Sequence, residues 1–228
     1  MPATPLQRHD LVWLHASAWQ RVLAGTDDEP PWDAAALDCL RHWAAADLPL
    51  VVTRQPPPGP GAPAPSILTL GLAAPRAWGR QRLFVRTARA GVRRRGAFPP
   101  LAQVTDQLPG AARAGARALD AALRAAGVVA RVYGSHGWQA LTGWPTLHAG
   151  SDVDLLLPVA DAEQARAAVQ ALAGAAFAQT RLDGELLFAD GTAVAWREWA
   201  AWRAGAVAQL LVKRLHGAAL LPGAAVGR

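Results

Sequence analysis

Residues 132–159 read VYGSHGWQALTGWPTLHAGSDVDLLLPV. An apolar strand ends at Gly134-Ser135, a short helix HGWQAL follows, and a loop through Trp144, Pro145 and Gly150 leads to a second strand, DVDLLLPV. In an extended strand residues two apart share a side, so Asp152 and Asp154 project together while Val153 and Leu155 point away. Two carboxylates held that close repel one another, and a fold keeps both ionised chiefly by placing a divalent cation between them. The pair therefore suggests a magnesium site with Asp152 and Asp154 as ligands, the remaining oxygens coming from water and substrate phosphates. Taken alone, the two aspartates read equally as a Ser151-Asp152 turn followed by a solvated edge residue.

Gly134-Ser135 changes that balance. A strand that feeds a helix leaves backbone N–H groups pointing outward at the positive end of the helix dipole, which is a ready phosphate cradle. Glycine lets a phosphate approach the backbone, and the Ser135 hydroxyl donates one more bond. A Gly-Ser turn is weak by itself, but here it is followed seventeen residues later by Asp-x-Asp at the start of a strand.

Working outward, the C-terminal part of the chain reads as alternating helices and strands. A long Ala/Arg helix is expected from about Thr105 to Ala126, stopped at Gly127, ahead of the strand VVARVY. Asp161 begins another helix, with Gln164 three residues on in capping-box register. TRLDGELLF, a turn at Asp190-Gly191 and TAVAWREW read as a hairpin, while QLLVKRL is compatible with strand or helix. Towards the N-terminus lie the strand RHDLVWL, a helix around Pro31 to Ala46 with Trp32, Leu37, Leu40 and Trp43 at helical spacing, and the strands LPLVVTR, ILTLGLA and QRLFVRTA. RQPPPGPGAPAPS, residues 54–66, is too rich in Pro and Gly for helix or central strand and reads as a loop. The expected architecture is α+β in two domains: a small one over 1–100 and a second, over 101–228, with a mixed sheet and flanking helices.

The 228 residues are 52% hydrophobic and carry a net charge of +6. Apolar runs such as LPLVV and LLLPV fall far short of the roughly 20 residues that span a bilayer, and no charged-then-apolar leader opens the chain. A cytoplasmic protein without membrane association is expected. Cys39 is the single cysteine, which excludes an internal disulfide and reads as a small core residue. The arginines are scattered, apart from Arg93-Arg94-Arg95, and no zinc-finger or aromatic RNA-binding signature accompanies them, so nucleic acid is not the expected partner. The triplet reads either as a solvated face or as a contact for an acidic protein. Among 23 basic residues Lys213 alone is lysine. A compact ammonium on a phosphate is one use for it, and a chance lysine at a strand end is the other.

A Gly-Ser turn, a two-carboxylate strand and a later acidic residue together resemble the DNA polymerase β-like nucleotidyltransferase superfamily. That resemblance implies metal-assisted phosphoryl transfer with release of diphosphate. Asp183, Glu185, Asp190 and Glu198 are candidates for the third carboxylate. Asp190 belongs to a turn, while alternation puts Asp183 and Glu185 on one face and Glu198 on the other. Glu185 is preferred and Glu198 comes next. Over nearly the whole chain, RHDLVWL, VYGSHGWQALTGWPTLHAGSDVDLLL, DGELLFADGTAVAWREW and LLVK look like the malonate decarboxylase holo-ACP synthase family, also called phosphoribosyl-dephospho-CoA transferase.

This resemblance implies a donor, 2′-(5″-triphosphoribosyl)-3′-dephospho-CoA, and an acceptor, a serine of the apo acyl carrier protein subunit of malonate decarboxylase. It makes Asp152 and Asp154 the catalytic acidic pair. Gly134, Ser135 and Lys213 would bind phosphates, and Asp154 or Glu185 would take the proton of the attacking serine or hold the metal. His136 follows the cradle and is expected either to face solvent or to reach a phosphate. Trp138 and Trp144 are either core residues or a stacking surface for adenine. An enzyme that adenylylates another protein or small molecule from ATP would share these residues. A basic module without catalysis would need none of the carboxylates.

Overall fold

A computed structural model of the chain describes residues 5–25, 32–57, 66–177 and 180–227. Pro31 and residues 58–65, most of the expected Pro/Gly-rich loop, lie outside them. The fold is α+β, with seven α-helices and two sheets among the described residues. The chain forms two compact units. The first runs to Ala97 and takes in Thr142–Thr146 and Leu215–Gly217, and the second holds Phe98–Leu141, Leu147–Arg214 and the residues from Ala218 onward.

In the first unit β1 (Leu11–Leu14), β2 (Leu50–Val52), β3 (Ile67–Ala73), β4 (Arg82–Ala88) and β5 (Val92–Gly96) form an antiparallel sheet in the order β4-β3-β2-β1-β5. Alternation in β4 buries Leu83, Val85 and Thr87 and turns Arg82, Phe84 and Arg86 outward, the period-2 signature of a sheet with one covered face. Two helices accompany the sheet. The first, α1 (Ala16–Ala24), is not legible as a separate element because its apolar stripe is only Ala18, Trp19 and Val22. The second, α2 (Ala34–Ala45), begins after Asp33, whose carboxylate accepts the Ala36 N–H at 2.7 Å and so satisfies one of the orphan donors of the first turn. Its buried face is Ala36, Cys39, Leu40 and Trp43. Trp32 precedes the helix and donates its indole N–H to the Val22 carbonyl. Burial, with the neighbouring Asp38 charge, pushes the Cys39 thiol up to about 12, as befits an inert core residue.

The arginine triplet lies on β5, an element the sequence does not announce. Arg93 pairs with Asp47 at 2.6 Å, Arg95 with Asp10 at 2.6 Å, and the Arg94 guanidinium stacks 3.5 Å from the Trp13 ring centroid. Each of the three thus has a partner within its own unit, and all three stay exposed.

In the second unit a six-stranded sheet has the order β11-β10-β9-β8-β7-β6, with β6 (Arg131–Tyr133), β7 (Val153–Val159), β8 (Leu182–Phe188), β9 (Ala193–Ala195), β10 (Gln209–Arg214) and β11 (Gly217–Pro222). It is mixed: β7 and β8 run parallel, and the β6/β7, β8/β9 and β9/β10 pairs are antiparallel. A parallel pair needs a crossover, and the helix between β7 and β8 supplies it. The unit's helices are α3 (Leu101–Val104), α4 (Gly110–Ala125), α5 (Gly134–Thr142), α6 (Ala162–Ala173) and α7 (Trp196–Arg203). One face of the sheet, carrying Val132, Val153, Leu155, Leu157, Leu182, Leu186, Val194, Leu210 and Val212, packs into a core with α4, α6 and α7.

Two expectations are corrected here, and one left open is settled. The helix expected from Thr105 starts at Gly110, because Pro109 stands at its N-cap and a 3-10 turn occupies Thr105–Gln107. TAVAWREW is a strand only over Ala193–Ala195 and turns helical at Trp196, since Trp196 and Trp199, three apart, both enter the core. QLLVKRL resolves as β10. The Asp161 cap forms as expected: its carboxylate accepts the Glu163 and Gln164 N–H groups, and the Gln164 side chain reaches back to the Ala160 N–H.

Candidate active site

Helix α5 begins at Gly134, directly after β6. Gly134 has φ +61°, and a β-carbon there would overlap Asp154 Oδ2 and lie 3.0 Å from its Cγ. Only glycine takes that backbone conformation without strain and leaves that space empty. Antiparallel pairing of Tyr133 with Asp154 brings the two positions together. One turn on, a β-carbon at Gly137 would overlap the Val132 carbonyl and lie 2.9 Å from Phe98 Cδ1, so α5 rides tightly on β6. The first turn of α5 therefore begins beside the Asp154 carboxylate.

On the sheet face opposite the core, β7 presents Asp154 and Leu156, and β8 presents Asp183, Glu185 and Leu187. Parallel register sets Asp154 against Asp183 and Leu156 against Glu185. Asp152 sits just before β7, half-buried like Asp183. Burial, with the negative charges of Asp152, Asp183 and Glu185, raises the Asp154 carboxyl to about 6, against a weaker opposing pull from Arg181. Arg181 stands 3.5 Å from Asp152 and 3.1 Å from Asp183. Glu185 is only 5% exposed and accepts a hydrogen bond from Lys213 Nζ at 2.6 Å. Lys213 is paired in register with Ala193 on β9, and Ala195 lies opposite Glu185. These small side chains let the lysine stem cross β9 to reach the glutamate.

The structure thus gathers Gly134, Asp152, Asp154, Asp183, Glu185 and Lys213 around one end of one sheet face. Ser135 occupies the second position of α5. The oxygens of Asp152 and Asp154 are hard donors, and a divalent cation between them would offset both the burial and the neighbouring negative charge that raise the Asp154 carboxyl. Among the described residues no three His, Cys, Asp or Glu side chains form a ready cation cage, so a cation held by this pair would draw further ligands from water or substrate.

Other sequence candidates fall elsewhere. Glu198 lies in α7, not in a strand, and accepts the Leu211 N–H at 3.1 Å. Asp190 is the turn residue expected, accepting from the Thr192 N–H and hydroxyl. His136 neither faces solvent nor stands open to a phosphate: it is 3% exposed, and burial holds its imidazole below the usual pKa. Trp138 is 5% exposed and packs edge-to-face on Phe98 at 5.5 Å, a core role with no free face for adenine. Trp144 belongs to the first unit, where its indole N–H donates to His42 Nε2 at 3.0 Å and its ring packs against Trp78. Arg181 escaped the sequence reading altogether, because its nearness to Asp152 depends on the parallel register of β8 against β7.

Two family models cover the chain: the phosphoribosyl-dephospho-CoA transferase MdcG N-terminal domain matches residues 7–98 and the corresponding C-terminal domain matches residues 100–224. Among curated proteins, the phosphoribosyl-dephospho-CoA transferase of Xanthomonas euvesicatoria pv. vesicatoria (strain 85-10) is 42% identical over 96% of this chain and 95% of its own length. The protein of the same name from Bradyrhizobium diazoefficiens is 33% identical over 95% of this chain and 90% of its own. No solved structure matches.

Proposed function

The chain belongs to the phosphoribosyl-dephospho-CoA transferase family and is a transferase, and on that premise we propose that it moves phosphoribosyl-dephospho-CoA from 2′-(5″-triphosphoribosyl)-3′-dephospho-CoA to a serine of the apo acyl carrier protein subunit of malonate decarboxylase, releasing diphosphate. The observation that carries this reading is the contact of the Asp154 carboxylate with Gly134 at the start of α5, which puts an acidic pair beside a phosphate cradle. We place catalysis in a C-terminal domain, residues 101–228, of the DNA polymerase β-like nucleotidyltransferase type, with residues 1–100 as a separate domain. The mixed sheet and the Gly-Ser turn before a carboxylate strand support that placement.

Asp152 and Asp154 are the residues that would hold magnesium, which when bound supplies positive charge to the donor's triphosphate as the diphosphate departs. The Gly134 and Ser135 N–H groups and the Ser135 hydroxyl grip the terminal phosphates at the positive end of α5. Lys213 adds an ammonium from β10, across β9, while remaining paired with Glu185, the third carboxylate of the proposed machinery. The carrier serine attacks the α-phosphorus in line: its Oγ–P bond forms, the bond to the diphosphate oxygen breaks, and the hydroxyl proton passes to a carboxylate. Asp154 and Glu185 are the carboxylates placed either to accept that proton or to hold the metal. Positioning and electrostatics then supply most of the acceleration, since phosphoryl transfer asks little covalent work of the protein.

Intact-mass spectrometry of the apo carrier protein, after incubation with this enzyme, magnesium and the triphosphoribosyl donor or ATP, tests the reading. The expected gain is one phosphoribosyl-dephospho-CoA, absent with Asp152→Asn and Asp154→Asn. An adenylyl gain from ATP, and none from the other donor, would replace the proposed donor with ATP.

A further inference from the structure

Arg181 occupies an unusual place for a cation. It lies one residue before β8 and stands 3.1 Å from Asp183 and 3.5 Å from Asp152. Its side chain is 60% exposed, while those of Asp152 and Asp183 are 32% and 31% exposed. The guanidinium therefore reaches in from solvent towards two of the carboxylates that surround Asp154. In the Lys213–Glu185 pair the glutamate side chain is 7% exposed and the lysine 31%. Arg181 by contrast keeps the freedom to turn, and a planar fork of five donors suits phosphate oxygens as well as carboxylates.

Resting on the magnesium and triphosphate reading above, we propose that Arg181 exchanges partners during substrate loading: it holds Asp152 and Asp183 while the site is empty and turns to the donor's phosphates when a divalent cation takes the carboxylates. Two consequences follow from the charges. In the donor-free protein the guanidinium competes with a divalent cation for Asp152, so the carboxylates stay apart from stray metal. Once the donor is in place the released guanidinium meets the negative charge that accompanied the metal, so Arg181 couples cation and donor binding.

A purely structural Arg181 would behave in the opposite sense towards metal, because its loss would let Asp152 and Asp183 splay and weaken a cation site. The test is Mn²⁺ titration of the donor-free full chain by electron paramagnetic resonance, alongside calorimetric binding of inorganic triphosphate in the presence of Mn²⁺. The proteins compared are the wild type, Arg181→Gln, Arg181→Lys and Asp152→Asn. Partner exchange predicts that Arg181→Gln binds Mn²⁺ about three- to fivefold more tightly, the scale of losing one exposed competing ion pair. It also predicts that Arg181→Gln binds triphosphate about tenfold more weakly, with Arg181→Lys between the two, because lysine supplies charge without the fork. Equal or weaker Mn²⁺ binding by Arg181→Gln, with the wild type competent, overturns the exchange and leaves the metal reading standing. Failure of both proteins to bind Mn²⁺ overturns the metal reading and the exchange together. Tight Mn²⁺ binding that survives Asp152→Asn overturns the exchange too, since the contested carboxylate would not be a ligand.

Discussion

Gly134 and Asp154 share one volume: the space a β-carbon on the glycine would fill is taken by the aspartate's carboxylate. The start of α5 and the second strand of the unit are thereby locked in register, and the first turn of that helix and the acidic pair become parts of one object. Gly134→Ala is expected to push Asp154 aside and to strain a residue at φ +61°, the strain alone costing about 1–2 kcal/mol. Under the proposed mechanism, carrier modification, followed by intact mass, should fall about a hundredfold or more, the scale of a ~1 Å displacement of a reacting group. A Gly134→Ala protein that melts like the wild type and keeps its rate would show that this contact does not position the carboxylate.

Asp154 also predicts a pH dependence of stability in metal-free protein. Its folded carboxyl is raised from 3.8 to about 6, so the folded state binds the proton more tightly than the unfolded chain. The stability tied to this group is full below about 4, declines as pH rises through about 6, and is flat above. Asp154→Asn removes that decline. At pH 8 in chelator the variant should melt above the wild type by about 2–4 °C, the equivalent of roughly 1 kcal/mol after discounting for solvent screening. Equal melting temperatures across pH 4–8 would contradict it.

Lys213 and Glu185 offer a separate test. Lys213→Ala leaves Glu185 charged and buried without its partner, a loss of about 3 kcal/mol, whereas Lys213→Ala combined with Glu185→Gln should recover most of that stability in a double-mutant cycle. Transfer activity separates the remaining roles. A donor KM raised in the double variant above that of Glu185→Gln alone assigns the ammonium to the phosphates. Equal kinetics for the double variant and Glu185→Gln would confine the lysine to the pair.

Trp138 is expected to matter for folding and not for donor recognition. Trp138→Leu empties part of a buried site beside Phe98 and should cost about 2–4 kcal/mol, read by denaturant melts, with donor KM unchanged. A large rise in KM without loss of stability would return adenine stacking to this residue.

Much of the C-terminal unit can be read from local pattern. The Gly134-Ser135 turn, the Asp152 and Asp154 spacing, the Asp161 cap and the shared face of Asp183 and Glu185 rest on glycine conformation, side-chain alternation and capping chemistry, all of which act within a few residues. The helix at Trp196–Arg203 was hidden because AVAWREW also fits a strand by composition, and only the entry of Trp196 and Trp199 into one core settles its period. His136 is misread for the same reason, and Trp138 stays open between core and stacking surface: the side of α5 that faces Phe98 and β6 depends on packing, which no short stretch encodes.

By itself, then, the sequence determined the α+β class, the family and the acidic pair beside its glycine turn, since those follow from residue types at short spacing. Only the tertiary structure decided that Asp183 lies beside Asp154, that Lys213 reaches Glu185 across two alanines, that Arg181 meets Asp152, and that the Arg93–Arg95 run is already engaged. Each of these depends on strand order and register between segments far apart in the chain. Pairing energies and core burial set that register globally, and a one-residue slip would send every one of those side chains to the other face.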